Sequence, residues 1–202
     1  MEEEQQMVRE LNFATEADTF GRLRFAVFVD QLGWPVGDPS RQVELDKLDP
    51  TAHHLGVIGS GQQLDGYARV IQGGSPGGLL LQQPVFAPLL PSGLVIDATM
   101  GEVSRLCVRP GRLPTDQPTD AEVVQLLVRA IYDFALARGI VTLYATTSDT
   151  MSGYVNKWFL EQLSFMVKAG PHQFEPGINT YLMAVDVTQG STVPFVRQYI
   201  KL

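Results

Sequence analysis

Cysteine is almost missing from this chain: among 202 residues, Cys107 stands alone. A single thiol excludes an internal disulfide and any cysteine-cluster metal site. Set between Leu106 and Val108 in an apolar run, it is expected to pack as a small, inert hydrophobe. Positive charge is scarce as well. Fifteen Lys and Arg against 22 Asp and Glu leave a net charge of −7, which argues against general nucleic-acid binding, since that needs basic patches to neutralise phosphates. A local basic face is still compatible with that balance. No apolar run in the sequence approaches the ~20 residues of a membrane span. The opening, Met1 to Gln6, is acidic and polar, unlike the basic and then apolar start of a secretory signal, so a cytoplasmic location is expected. Histidine is rare too. His53 and His54 are adjacent, so on a strand they point to opposite faces and make a poor metal pair; structural roles are expected for both.

Repeats, low-complexity tracts and dividing linkers are absent, and the length suits one domain spanning residues 1–202. Within it, Phe20, Leu23, Val27, Phe28 and Leu32 recur at helical spacing, predicting a helix over 16–32 with Thr15 as N-cap and Gly33 as stop. Residues 34–52, rich in Pro, Asp and Gly, read as a long functional loop. Strands are predicted at 54–58 and 64–71 around a turn at 59–61, and again at 101–108, 140–145 and 181–187. Residues 73–78 read as a loop. A second helix over 120–138 carries a capping box, Thr119 with Glu122, a stripe of Val123, Leu127, Ala130, Ile131 and Phe134, and a terminating Gly139. A third is predicted over 151–163. This order indicates an α/β (α+β) fold with a central mixed sheet flanked by helices.

Three clusters carry potential chemistry. Arg24 and Phe28 are four residues apart and would share a helix face, with Trp34 just past the helix end; a core helix with a solvated arginine is the plain alternative. Glu44, Asp46 and Asp49 put three carboxylates into six residues, which repel one another unless a cation sits among them, or else form a solvated acidic turn. Their spacing lacks the central glycine of a calcium loop. On the predicted strand 101–108, Glu102 and Ser104 would face one side and Arg105 the other; Arg69 lies on an earlier strand.

Taken together these clusters resemble the acyl-homoserine-lactone synthases, the autoinducer synthases of bacterial quorum sensing. Arg24, Phe28 and Trp34 match the family's Arg…Phe…Trp motif. Glu44-x-Asp46-x-x-Asp49 matches its acidic loop, Arg69 its strand arginine, and Glu102-x-Ser104-Arg105 its Glu-x-Ser-Arg strand. Phe86 looks like the aromatic that the family places between these strands. The likeness is good over roughly residues 20–110, and the order of elements fits the Gcn5-related N-acetyltransferase fold. It implies a transferase that moves an acyl group from a thioester to the amine of S-adenosylmethionine, then closes the lactone with release of methylthioadenosine. S-adenosylmethionine is then a substrate, and no cofactor is implied. Catalysis is placed on Glu102, Ser104 and Arg105, with Glu102 taking the amine proton. Substrate binding is placed on Arg24, Phe28, Trp34, Asp46, Asp49 and Arg69, joined by Phe86 and Thr146. The aromatic faces would cover the adenine or the sulfonium, while Asp46 and Asp49 would favour the cationic groups and hold nearby arginines.

The chain also departs from the family pattern. Val70-Ile71-Gln72-Gly73-Gly74 stands where two leucines, proline and threonine usually follow the arginine, and Leu106 stands where an aromatic is common. Both changes bear on the acyl pocket more than on the reaction class. Thr146 and Thr147 fall where the family often has threonines that bond a 3-oxo group; strand-end hydroxyls on the backbone are the alternative. The glycine-rich pyrophosphate loop of acetyltransferases is absent from 109–116. Arg109, Arg112, Arg129 and Arg138 would instead meet an acidic acyl carrier protein, or be solvated surface charges; a coenzyme A thioester is the other donor. Trp158, Phe159 and Leu163 read equally as core or as acyl-tunnel lining. The competing functions are an N-acyl amino acid synthase of the same fold and a non-catalytic module that binds S-adenosylmethionine or acyl chains.

Overall fold

In the computed structural model, residues 7–112, 118–148, 166–175 and 178–188 are described. The elements in chain order are β1 (Met7–Leu11), α1 (Phe13–Arg24), β2 (His53–Ile58), β3 (Leu64–Gln72), β4 (Met100–Val108), α2 (Asp120–Ala137), β5 (Thr142–Ser148), β6 (Met166–Glu175) and β7 (Ile178–Asp186). The strands follow the order β1-β2-β3-β4-β5-β7-β6 in a mixed sheet. Antiparallel pairs are β1 with β2, β2 with β3, β5 with β7 and β6 with β7. β4 and β5 run parallel, Met100–Glu102 against Thr142–Tyr144, and a parallel pair requires a crossover, which α2 supplies. The chain divides into two compact units, residues 1–70 with 105–131 and residues 71–104 with 132–202.

In the first unit, α1 begins one turn earlier than its apolar stripe suggests. Asn12, not Thr15, is the cap: its side chain accepts from the Ala14 N–H at 2.8 Å, while Glu16 accepts from the Asn12 N–H at 2.8 Å. The α-helix stops at Arg24, and Phe25–Gln31 continue as a π-helical turn. Gly33, at φ +70°, then takes the left-handed conformation that ends such a segment without a Cβ clash. Phe20, Leu23 and Phe28 meet Leu11, Ile58, Leu64, Tyr67 and Cys107 in one buried cluster. Cys107 is buried as expected, and burial pushes its thiol up to about 12. A Cβ on Gly66 of β3 would lie 2.3 Å from Val123 Cγ1 of α2, so the missing side chain sets how closely that helix packs on the strand.

In the second unit, Leu143, Tyr144 and Ala145 of β5 and Leu182 to Val185 of β7 are buried as continuous runs, as strands covered on both faces are. The α2 capping box, which belongs to the first unit, is present: the Thr119 N–H donates to Glu122 at 2.7 Å. Val123, Leu127 and Ile131 are buried as read, but Ala130 and Phe134 are half-buried, while Val124, Val128, Tyr132 and Ala135 widen the apolar face. Two strands go unread in the sequence. β1 is short and abuts the acidic start, and β6 carries Gly170 and Pro171, residues that argue against a strand interior. β6 lies at the end of the strand order with several register shifts, and an edge with bulges is where proline is tolerated. The helix predicted over 151–163, with Trp158, Phe159 and Leu163, lies outside the described residues. Among the described residues no helix is long and apolar enough to cross a membrane.

Candidate active site

The acidic loop is tied down from both ends before any charge is considered. Val43 and Leu48 are buried, and the Glu44 N–H donates to the Gly21 carbonyl at 2.9 Å. Asp49 opens a short 3₁₀ turn and accepts from the Asp46 N–H at 2.6 Å, while Asp46 accepts from the Leu48 N–H at 2.8 Å. These local bonds turn the 44, 46, 49 spacing into a convergent set of carboxylates.

Three arginines meet them. Arg24, the last residue of α1, is fully buried and donates from Nε to Glu44 at 2.5 Å and from Nη1 to Asp49 at 2.7 Å. Arg69, also fully buried, donates from Nη1 to Asp46 and to Asp49, each at 2.8 Å. Arg105 donates through Nε and Nη2 to the two Glu44 oxygens, each at 3.1 Å, and lies 3.5 Å from Asp46. Three guanidiniums and three carboxylates therefore balance. Burial alone would raise Glu44 and Asp49, but Arg24 acting with Arg105 on the first and with Arg69 on the second holds both carboxyls below their ordinary values. Burial likewise opposes the charge on Arg24 and Arg69, and the carboxylates outweigh it in each case. A lattice like this is a costly way to gain stability, since two desolvated charges recover little over an apolar pair, yet removing one partner costs about 3–5 kcal/mol. Its value lies in holding charges in place.

The aromatic members sit beside it. The Trp34 N–H donates to the Phe28 carbonyl at 2.9 Å, and the two rings stack with centroids 4.9 Å apart at 23°. The Arg105 guanidinium lies over both, 5.6 Å from the Phe28 ring and 5.8 Å from Trp34. Arg105 reaches this position because its backbone leaves the strand alternation: φ is +56°, a left-handed conformation that costs a non-glycine residue about 1–2 kcal/mol. Within the cluster, solvent reaches Asp46, whose side chain is 26% exposed, Arg105 at 11%, and half-buried Trp34. Those three are available to a ligand; Arg24, Glu44, Asp49 and Arg69 stand behind them.

Glu102, Ser104, Phe86 and Thr146 belong to the other unit. Glu102 is fully buried on β4 and accepts from the Leu81 N–H at 3.0 Å. That bond fixes the short turn Leu80–Gln82, which leads into the turn Pro84–Leu89 carrying half-buried Phe86. Ser104 is half-buried. On β5, half-buried Thr146 lies opposite Leu182 and buried Thr147 opposite Tyr181. Among the described residues, no group of three His, Cys, Asp or Glu side chains is arranged to hold a metal ion.

The family model of the autoinducer synthases matches residues 8–161. The chain belongs to the autoinducer synthase family. An acyl-homoserine-lactone synthase of Aeromonas salmonicida is 29% identical over 132 residues, 63% of this chain, and the match spans only 60% of that relative's length. The solved structure of BjaI, a CoA-dependent acyl-homoserine lactone synthase with SAM and isopentyl-CoA, superposes with a TM-score of 0.71 at 20% identity, covering 94% of this chain and 88% of that one. A structure assigned to the GNAT family, from Desulfovibrio desulfuricans, superposes at 0.57 with 14% identity over 91% and 99% of the two chains. At these identities the superpositions establish the fold: the mixed sheet with helices expected from the sequence.

This autoinducer synthase family member differs from its sequence reading at the arginines after β4. Arg112 is no open surface charge. Its side chain is 2% exposed, pairs with Asp65 and the Pro118 carbonyl, and donates to Asp120 at 2.9 Å. Arg109 donates to Asp65 at 3.0 Å. Asp65 thus gathers the segment after β4 onto β3, and Arg112 is not offered to a carrier protein; Arg129 and Arg138 are exposed. The sequence reading also passed over Tyr67. Fully buried on β3, it lies 3.4 Å from Arg24 Nη1 and 2.7 Å from His54 Nδ1. A tyrosine in an apolar strand carries no sequence signal of a polar partner.

Proposed function

We propose that the chain is an acyl-homoserine-lactone synthase: it transfers an acyl group from a thioester to the amine of S-adenosylmethionine and then closes the lactone, releasing methylthioadenosine. One observation carries this reading. The six charged residues of the family motif, Arg24, Glu44, Asp46, Asp49, Arg69 and Arg105, close into a single neutral lattice beside the stacked Phe28–Trp34 pair. S-adenosylmethionine brings a sulfonium, an ammonium and a carboxylate. Asp46 accepts the ammonium, the aromatic pair faces the sulfonium or adenine, and Arg105 is the accessible cation for the carboxylate.

Glu102 takes the proton as the amine attacks the thioester carbonyl. Backbone N–H groups of the neighbouring strand stabilise the tetrahedral oxyanion, which collapses to the amide as the C–S bond breaks and the carrier's thiol leaves with a proton. The methionine carboxylate then attacks its own γ-carbon, and methylthioadenosine leaves as the lactone ring closes. Ser104, Phe86 and Thr146 line the acyl side of the reaction. The acyl group arrives on acyl carrier protein or coenzyme A.

The test is mass spectrometry of products from purified protein given S-adenosylmethionine and a panel of acyl carrier protein and coenzyme A thioesters. An acyl-homoserine lactone appearing with an equal amount of methylthioadenosine is the expected result, and the preferred donor identifies the carrier. An acylated amino acid formed from supplied amino acids, with no lactone, would overturn the reading in favour of an N-acyl amino acid synthase.

A further inference from the structure

Behind the charged lattice lies a polar ring that the reaction itself does not use. His54, 1% exposed, is stacked on Phe20 with centroids 4.4 Å apart and on Phe13 at 5.8 Å. Its Nε2 is 3.0 Å from the Asp49 carbonyl and its Nδ1 is 2.7 Å from the Tyr67 hydroxyl. A carbonyl only accepts, so Nε2 carries the ring proton. In the neutral imidazole Nδ1 is then an acceptor, and Tyr67 must donate to it. Tyr67 in turn accepts from Arg24 Nη1 at 3.4 Å, since a guanidinium only donates. Arg24 Nη1 also donates to the Asp49 carboxylate at 2.7 Å. The ring Arg24–Tyr67–His54–Asp49 closes with every proton direction determined.

We propose that His54 and Tyr67 are positioning residues that hold Arg24 and the Asp49 turn in register, so that Asp46 is correctly placed for the ammonium of S-adenosylmethionine; the ligand's identity rests on the functional reading above. Asp46 hangs on this ring twice, through its N–H to Asp49 at 2.6 Å and through Arg69, which bridges both aspartates. Simple packing does not require such a ring. Phenylalanine at position 54 would stack on Phe20 equally well, and the Asp49 carbonyl already accepts from the Ala52 N–H at 3.1 Å.

The ring is also proton-sensitive. A second proton on His54 would put Nδ1–H against the Tyr67 hydroxyl and add positive charge beside Arg24 and Arg69, with the Asp49 carboxylate opposing them. Burial pushes His54 below its ordinary value, both arginines add to that, and Asp49 opposes it. The neutral form is therefore the native one, and affinity for the ligand falls as acid protonates His54.

Two measurements test this. Nitrogen-15 NMR of the three imidazoles, assigned with H54F, should show His54 as the Nε2–H tautomer at neutral pH; an Nδ1–H or doubly protonated ring there overturns the relay. Titration of S-adenosylmethionine into wild type, Y67F, H54F and the double variant should show each single change weakening binding about tenfold, the scale of one lost hydrogen bond to a charged group. KM for S-adenosylmethionine should rise with it while kcat shifts less than threefold. The double variant removes donor and acceptor together, so thermal stability should recover toward wild type while affinity does not. Affinity recovering along with stability would reduce the pair to packing and overturn the proposal. Wild type that binds no S-adenosylmethionine would overturn the functional reading and the recognition claim together, and the imidazole spectrum would then decide the relay on its own.

Discussion

Glu44→Gln should destabilise the protein more than any other single change in the charged lattice that leaves side-chain shape intact. Glu44 is 1% exposed and accepts from both Arg24 and Arg105, at 2.5 Å and 3.1 Å. An amide in its place offers one acceptor oxygen and turns an N–H₂ toward the second guanidinium. It also leaves three arginines facing two carboxylates, with Arg24 and Arg69 themselves out of reach of water. Breaking a buried pair from one side costs about 3–5 kcal/mol. For a chain of this size each kcal/mol lowers Tm by roughly 2–4 °C, so a drop of roughly 6–20 °C is expected. Thermal unfolding followed by circular dichroism at neutral pH measures it, and the loss should persist in high salt because buried pairs are weakly screened. Asp46→Asn is the control: with a side chain 26% exposed, it should cost less than about 2 kcal/mol while abolishing most S-adenosylmethionine binding. If Glu44→Gln shifts Tm by only a degree or two, or by less than Asp46→Asn does, the lattice does not carry the energy assigned to it here.

Acid should act through the same carboxylates. Glu44 and Asp49 have native values below the ordinary 4.5 and 3.8, so the unfolded chain binds more protons in that range. Their stabilisation is complete above pH ~4.5 and is lost as pH falls through the native values. Urea midpoints measured between pH 7 and pH 3 should fall at the acid end, and a flat series would contradict the assignment. Glu102→Gln keeps an oxygen for the Leu81 N–H, so it should fold normally yet lose ~10²–10⁴-fold in turnover; activity within threefold of wild type, read by lactone formation, would remove Glu102 from the base role. Gly66→Ala puts a methyl 2.3 Å from Val123 Cγ1 and should lower stability by about 1–3 kcal/mol through overpacking, measured by chemical denaturation.

Periodicity and caps made the long elements legible. α2 is bounded by a Thr-x-x-Glu box and a glycine, and β2, β3 and β4 fall within a residue or so of their alternating or apolar runs. β6 was hidden because Gly170 and Pro171 are penalised in a strand interior and tolerated at a bulged edge, and edge position is a tertiary fact. The spacing of Glu44, Asp46 and Asp49 was compatible with a cation among them or with a solvated acidic turn, and three arginines decide between the two. Three aspects stayed hidden in the linear order. Arg24 was readable as a contact group, but only folding shows that it is sealed behind the site. Arg105 read as an ordinary strand residue, and its left-handed backbone, at φ +56°, carries no sequence signal. Arg112 looked like a docking charge because Asp65, its partner, lies 47 residues away in sequence.

The π-helical turn at Phe25–Gln31 gives the segment's length a meaning separate from its composition. Each α-helical residue advances about 100° around the axis, so the wider turn changes the direction in which the chain leaves α1. Phe28, within the turn, is buried, and Trp34, just past it, stacks on its ring. Deleting one residue from the turn would preserve almost every side chain in the segment. It would also swing Trp34 away from Phe28 and take the seat from under Arg105. A single-residue gap in this region should therefore disturb the seat of Arg105 more than a conservative substitution does.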